Sequence, residues 1–352
     1  MEPVKLAVVG AGLIGAKHAE LIRRHEACSL EGIADHDPTR KSVADALGVP
    51  FFSTAEELFD RKTPEGAILA TPNAHHAAAA EQCAKQGVHM LIEKPIAETW
   101  AQATRIGEAA RSAGVRVLVG HHRRHNPLVS KTRELVQGGE LGCLVGVSVL
   151  WALKKPDAYF DVGWRREQPG GGPLLINLIH ELDSLRFICG EILDVFARSS
   201  SAARGFEVED SLSISIGFEN GALGTVLASD TTPAAWSYEA VTGENPRYFN
   251  TGENCYHFLG TRASLAFPRM ELWRYGQEPG QGWEHPMERV RIEVPRADPL
   301  ILQLEHFCRV VRGDEEPVID ARDGAASLAV ALAVRESALR GAAVTPASLP
   351  AG

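Results

Sequence analysis

The sequence predicts an α/β protein in two parts: an N-terminal doubly wound parallel sheet, then a C-terminal α+β domain built on a mostly antiparallel open sheet. Three patterns point there. A short apolar run, Lys5-Leu6-Ala7-Val8-Val9, ends in Gly10-Ala11-Gly12-Leu13-Ile14-Gly15. Further apolar runs recur through the first third between Ala-rich helical stretches. Beyond Gly120, segments appear in which apolar and polar residues alternate. At 352 residues the chain exceeds the usual single domain, and the division is expected at 1–122 and 123–352.

After the first strand come Leu30 to Ala34, Gly66 to Ala70, Val88 to Ile92 and Val115 to Val119. None alternates with polar residues, as expected of parallel strands covered on both faces, and right-handed crossovers then give a doubly wound sheet. The helical stretches Ala77 to Gln86 and Ala101 to Ala113 stop near Gly87 and Gly114, where glycine can take a left-handed C-cap. In the second part, Val145 to Leu150, Ser211 to Ile216 and Leu223 to Leu227 alternate, the last following a Glu219-Asn220-Gly221 turn. Helical patterns at Leu174 to Cys189, Pro299 to Arg312 and Gly324 to Arg340 make this part α+β.

A net charge of −9 without a Lys/Arg-rich block argues against nucleic acid or an anionic membrane as partner and favours a small soluble substrate. The six cysteines, at 28, 83, 143, 189, 255 and 308, form no CxxC pair and no compact zinc-type cluster. They read as reduced, mostly buried thiols in a reducing cytosol, with no metal. The first apolar stretch leads into glycines, not a cleavage site, and no run approaches about 18 apolar residues. A cytoplasmic protein without signal peptide or membrane span is expected.

In the glycine motif, Gly10 permits a tight turn, Gly12 lets backbone approach a pyrophosphate, and Gly15 lets helix and strand pack closely. The first helical amides, at Leu13 and Ile14, then face the phosphate charge. Asp35 closes the second strand, placed to accept hydrogen bonds from the adenosine ribose diol and to repel a 2′-phosphate, which favours NAD. His36 and Arg40 follow closely and leave NADP open. Thr71-Pro72-Asn73-Ala74-His75-His76 follows the Gly66 strand at the carboxyl edge, where such sheets bind ligands, with Thr71, Pro72, Asn73 and His76 expected along the cofactor. Glu93-Lys94-Pro95 delivers a lysine to the same edge.

These motifs, followed in order by Trp164-Arg165, a glycine run and a helical histidine, resemble the glucose-fructose oxidoreductase/inositol dehydrogenase (Gfo/Idh/MocA) family. The likeness extends to Asp298-Pro299 and Gln303-Leu304-Glu305-His306-Phe307 near the C-terminus. It implies that Lys94 lies beside nicotinamide and substrate as the catalytic residue, with Glu93 and Pro95 around it and a cis peptide before the proline. Beside a cationic ring and partly desolvated, such a lysine loses its proton more readily and can take one from a substrate hydroxyl as hydride leaves carbon. In Gly170-Gly171-Gly172-Pro173-Leu174-Leu175-Ile176-Asn177-Leu178-Ile179-His180, the last residue stands where the family has its active-site histidine. The family's aspartate four residues earlier is Ile176 here, so His180 is expected to bind or orient the hydroxyl, with Asn177 as polar neighbour. Arg165 is expected at the cofactor and Trp164 at the substrate. In His121-His122-Arg123-Arg124-His125-Asn126-Pro127, His121 and His125 imitate a metal pair, but the Asn-Pro step and the lack of a nearby carboxylate argue for substrate recognition instead, by His122 and Arg124.

The activity implied is NAD(P)-dependent oxidation of a secondary alcohol on a sugar, cyclitol or related polyhydroxy ring. Alternatives are a carboxylated cyclic diol or opine-like substrate, or an NAD-dependent hydrolase or lyase working through transient oxidation. A non-catalytic NAD-binding regulator ranks below these, because Lys94 and His180 are both present and no basic module is appended. The resemblance also implies a homodimer or homotetramer formed through the open face of the second sheet.

Overall fold

Strands without polar alternation do form a sheet covered on both faces. In the computed structural model, which describes residues 2–346 except Pro169, Gln277 and Pro279, the first part runs β1 (Val4–Val9), α1 (Leu13–Arg24), β2 (Cys28–Ala34), α2 (Lys41–Leu47), β3 (Phe51–Phe52), α3 (Ala55–Arg61), β4 (Gly66–Leu69), α4 (His76–Lys85), β5 (His89–Ile92), α5 (Trp100–Ala113) and β6 (Val117–Val119). The strands pair in parallel in the order β3-β2-β1-β4-β5-β6, the Rossmann arrangement. Every residue of β4 and β6 is buried. The carboxyl ends of β1, β4 and β5 are neighbours, which gathers the glycine turn, Thr71 and Lys94 along one edge. The two-residue β3 at the sheet margin is too short to leave a periodic signature.

The second part continues with α6 (Pro127–Gln137), β7 (Leu144–Ala152), α7 (Ile179–Cys189), β8 (Ile192–Ser200), β9 (Ser211–Phe218), β10 (Leu223–Ser229), α8 (Tyr238–Thr242), β11 (Tyr256–Gly260), β12 (Ala263–Phe267), β13 (Glu271–Arg274) and β14 (Glu288–Arg291). These strands form an eight-stranded sheet ordered β14-β13-β12-β11-β7-β10-β9-β8, antiparallel throughout except where β7 meets β10. β9 and β10 alternate buried and exposed residues along most of their length, so one face of the sheet is buried and the other open.

The last helices, α9 (Pro299–Arg312) and α10 (Ala321–Arg340), depart from the expected division. The chain separates into two compact units. One runs to His122 and regains Leu300–Leu328; the other holds Arg123–Pro299 and, among the described residues, Ala329–Pro346. Residues 300–328 therefore pack with the Rossmann sheet. Phe307 is fully buried and crowds Gly66, where an added Cβ would meet its ring at 3.0 Å, while Val119 N donates to Ile319 O at 3.0 Å. Residues 347–352 of the expected second domain lie outside the described residues. The single helix expected over Leu174–Cys189 is also modified: Leu174–Leu178 form a π-helical turn, with Ile179 N donating to Leu174 O, before α7 begins. One extra residue in a turn rotates what precedes it by about 100° relative to an unbroken α-helix.

Candidate active site

The glycine turn of the first unit leaves almost no room at two of its three glycines. Gly10 has φ +93°, and a Cβ there would lie 2.6 Å from the Ala70 carbonyl; one on Gly15 would lie 1.9 Å from Gly10 O. Gly12, the N-cap of α1, has open space instead. Leu13 and Ile14 open the helix, whose first turn carries no acidic residue. Asp35 ties the turn to β2: its Oδ2 accepts from Ala11 N at 2.6 Å and its Oδ1 from Asp37 N at 2.9 Å. Each carboxylate oxygen retains capacity for a further donor. His36 is exposed, 3.5 Å from Asp35, and Arg40 reaches Asp37 at 3.4 Å. Along the edge, Thr71 Oγ1 is buried without a hydrogen-bond partner among the described residues, and Asn73 is half-buried beside exposed Pro72.

Lys94 is half-buried, and its bond to Pro95 is cis. Glu93 and His76, both expected along the cofactor, have partners within the fold that fix its turn. Glu93 is buried and pairs with His18 of α1 at 2.8 Å, while its other oxygen accepts from Lys94 N at 3.3 Å; a Cβ on Gly120 would meet its carboxyl group at 3.1–3.2 Å. Burial raises the Glu93 carboxyl, but its partners, His18 foremost, hold it below its ordinary range. His76 is fully buried, with Nε2 2.9 Å from Thr71 O and Nδ1 3.1 Å from Pro95 O. Burial lowers its pKa, and as a neutral ring it donates on one side at a time. Both side chains thus brace the Lys94-Pro95 turn. His18 escaped the sequence reading, although its place three residues after Gly15 puts it on the same inward face of α1.

In the second unit, His180 is buried in the first turn of α7 and Asn177 is half-buried in the π-helical turn before it. Asn177 Oδ1 is shielded and has no hydrogen-bond partner among the described residues. Arg124, expected at substrate, is held on α7, where its Nε and Nη2 donate to Asp183 at 3.0 and 2.7 Å, with both side chains buried. Arg123, not singled out from sequence, bridges buried Glu181 and Glu239 and stacks over Tyr238 at 3.6 Å. Burial, reinforced by Glu239 against the pull of Arg123, pushes Glu181 up to about 7. Arg165 donates to Tyr159 O at 2.7 Å and lies over that ring, whereas Trp164 is exposed. His122, half-buried, ends the first unit's opening segment. Among the described residues no helix is long and apolar enough to cross a membrane.

Residues 4–121 match the model of an oxidoreductase family with an NAD-binding Rossmann fold, and residues 129–266 match the Gfo/Idh/MocA C-terminal domain. The chain belongs to the Gfo/Idh/MocA oxidoreductase family. It is similar to D-xylose 1-dehydrogenase (NADP(+)) 2 of Haloferax volcanii, 26% identical over 341 residues that span 96% of this chain and 98% of the relative. It also resembles 2,7-anhydro-N-acetylneuraminate hydratase of Escherichia coli, 26% identical over 231 residues, 63% and 61% of the two chains. Among solved structures, the WlbA dehydrogenase from Bordetella pertussis, in complex with NADH and UDP-GlcNAcA, is similar with a TM-score of 0.79 and 25% identity across 99% of each chain. As a member of this family, the protein is an NAD(P)-dependent oxidoreductase. Its residues fit the dinucleotide: open space at Gly12, the α1 amides after it, and the unsatisfied Thr71 hydroxyl are what a bound pyrophosphate and its neighbours require.

Proposed function

We propose that this oxidoreductase oxidises a secondary alcohol on a sugar, cyclitol or related polyhydroxy ring, with Lys94 as general base. The observation that carries the reading is the placement of Lys94: half-buried beside its cis proline, at the carboxyl edge shared with the glycine turn and Thr71, with Glu93 and His76 fastened behind it. Bound there, the dinucleotide supplies a hydride acceptor. Lys94 Nζ takes the hydroxyl proton as the C–H bond breaks, and the reverse transfer serves reduction. His180 and Asn177 orient the hydroxyl; the shielded Asn177 amide oxygen is suited to accept its hydrogen bond. Asp35 favours NAD over NADP by repelling a 2′-phosphate, and the xylose-acting relative supports the sugar class.

Turnover of a panel of sugars, cyclitols and their acids, followed by NADH absorbance, identifies the substrate. Lys94→Ala should then keep NADH binding and lose about 10²–10⁴-fold in kcat. Unchanged kcat would sink the assignment. The hydratase relative favours a second reading, transient oxidation on retained cofactor, which would show product without net NADH. The open face of the second sheet, with Leu223 67% and Leu227 58% exposed, is proposed as the subunit contact of a homodimer or homotetramer in the cytoplasm.

A further inference from the structure

The second sheet has one parallel pair among the described residues, and a buried cation stands where that pair ends. β7 and β10 finish side by side at Ala152 and Ser229, and Lys155 N then donates to Asp230 O at 2.9 Å. The Lys155 side chain is 8% exposed, with Nζ 3.3 Å from Asp230 Oδ2 and 4.8 Å from the centre of the Tyr159 ring. An ammonium carries three donors, yet this one, shielded from solvent, makes no hydrogen bond among the described residues. Asp230 is shared, since its Oδ1 accepts from Arg204 Nε at 3.0 Å. Asp210 is occupied by the amides of Ala203 and Arg204 and by the Ser211 hydroxyl. Burial outweighs the pull of Asp230 and lowers the pKa of Lys155. A second cation lies on the same ring: the Arg165 guanidinium is 4.1 Å from the centre of Tyr159, and its Nε is likewise shielded and without a partner among the described residues.

Printed backbone contacts join this cluster to the turn that carries Asn177. Asp230 N donates to Asp210 O at 3.0 Å, and Glu209, one residue earlier, accepts at 2.9 Å from the amide of Leu174, where the π-helical turn begins. The glycine run before that turn lies against Trp164 and Arg165: a Cβ on Gly171 would be 2.7 and 2.8 Å from their carbonyl oxygens. We infer that Lys155 is a specificity-determining residue for an acidic substrate, its ammonium holding a carboxylate on the ring whose hydroxyl Asn177 and His180 orient, with Arg165 adding positive charge. The inference rests on the alcohol-oxidising reading above and narrows its substrate to a sugar acid or a carboxylated cyclitol. One donor turned toward Asp230 leaves two, matching the two oxygens of a carboxylate. The carboxylates of Asp230 and Glu209 nearby oppose the second charge of a phosphate. A neutral hydroxymethyl group in the same place would leave a buried cation without a further charge partner, which is what makes the site selective.

Calorimetric titration of the NADH-loaded protein tests this with rings that differ at one substituent, D-glucuronate against D-glucose and D-galacturonate against D-galactose. In at least one pair the acid should bind about tenfold or more tighter. Lys155→Gln should abolish that advantage, and Lys155→Arg should keep part of it. In the glutamine variant Asp230 retains Arg204, so no buried carboxylate loses its only partner, and the wild-type comparison needs no variant at all. A merely structural role would weaken acid and neutral rings alike. Equal or undetectable binding of both members of each pair, an advantage that survives Lys155→Gln, or tighter binding of D-glucose 6-phosphate than of D-glucuronate would overturn the inference. Turnover followed by NADH absorbance tests the underlying reading separately: an acid preferred in binding with no ring oxidised would refute alcohol oxidation and leave the carboxylate site standing.

Discussion

The two sheets of this protein solve the covering problem in opposite ways. In the six-stranded sheet, crossover helices bury both faces, and the residues proposed for cofactor and catalysis sit where strands end: Gly10, Thr71 and Lys94 all follow β1, β4 or β5. In the eight-stranded sheet, one face is buried and the other displays Leu223 and Leu227 from β10 and Leu259 from β11. The residues proposed to orient the hydroxyl there, Asn177 and His180, sit at the helix start, and charge is taken into the interior around α7: Arg123 links Glu181 of α7 to Glu239, and Glu239 accepts from the indole of Trp151 on β7 at 2.9 Å. Parallel strands with buried faces can offer only their ends to a ligand. An open antiparallel sheet can also offer a face to another protein.

Substitutions on the two sheets should separate these regimes. Ile68→Ala in β4, a fully buried strand, should cost about 2–5 kcal/mol in denaturant unfolding, because neighbours on both faces lose contacts. A loss below about 1 kcal/mol would mean that this sheet is not packed from both sides. Glu181→Gln addresses the charged interior of the second unit. With its pKa raised from 4.5 to about 7 on folding, Glu181 binds more protons in the native state than in the unfolded one between those values. Stability should therefore be greatest below the lower value and fall as pH rises through the upper, by up to about 3 kcal/mol. The glutamine variant should flatten that decline in melts between about pH 4.5 and 8; an identical decline would place the titrating group elsewhere. Leu227→Lys on the open face should change unfolding free energy by no more than about 0.5 kcal/mol while lowering the mass seen by light scattering. Unaltered assembly would move the subunit contact to another surface.

How much could be read in advance follows the same divide. Strand runs, glycine turns and the motifs at strand ends are local in sequence, so Gly10–Gly15, Thr71 and Lys94 were legible, as was the alternation of β9 and β10. Pairings across the chain leave no such trace. Glu93 and His76 sit inside recognisable motifs, yet only their partners, His18 in one case and the Thr71 and Pro95 carbonyls in the other, show that they hold the lysine's turn. Arg124 reads as a polar residue next to a site until Asp183, 59 positions later, is seen to accept from two of its nitrogens. The π-helical turn at Leu174–Leu178 was equally silent, because a run of Leu, Ile and Asn fits either helical period. Residues 300–328 have the periodicity of any amphipathic helix; nothing in it says which sheet they join.

The parallel contact between β7 and β10 bears on how the second unit is made. β7 ends at Ala152, but its sheet neighbours are β10, starting at Leu223, and β11, starting at Tyr256. The β8-β9-β10 meander can zip locally as it is synthesised, whereas the strand destined for the middle of the sheet must wait, its edges unmatched, for chain that emerges much later. Closing those long loops comes before any reward from pairing, which makes this a slow step. Through that interval Val147, Val149 and Trp151 are an apolar strand without a home, and a chaperone should find its grip there first.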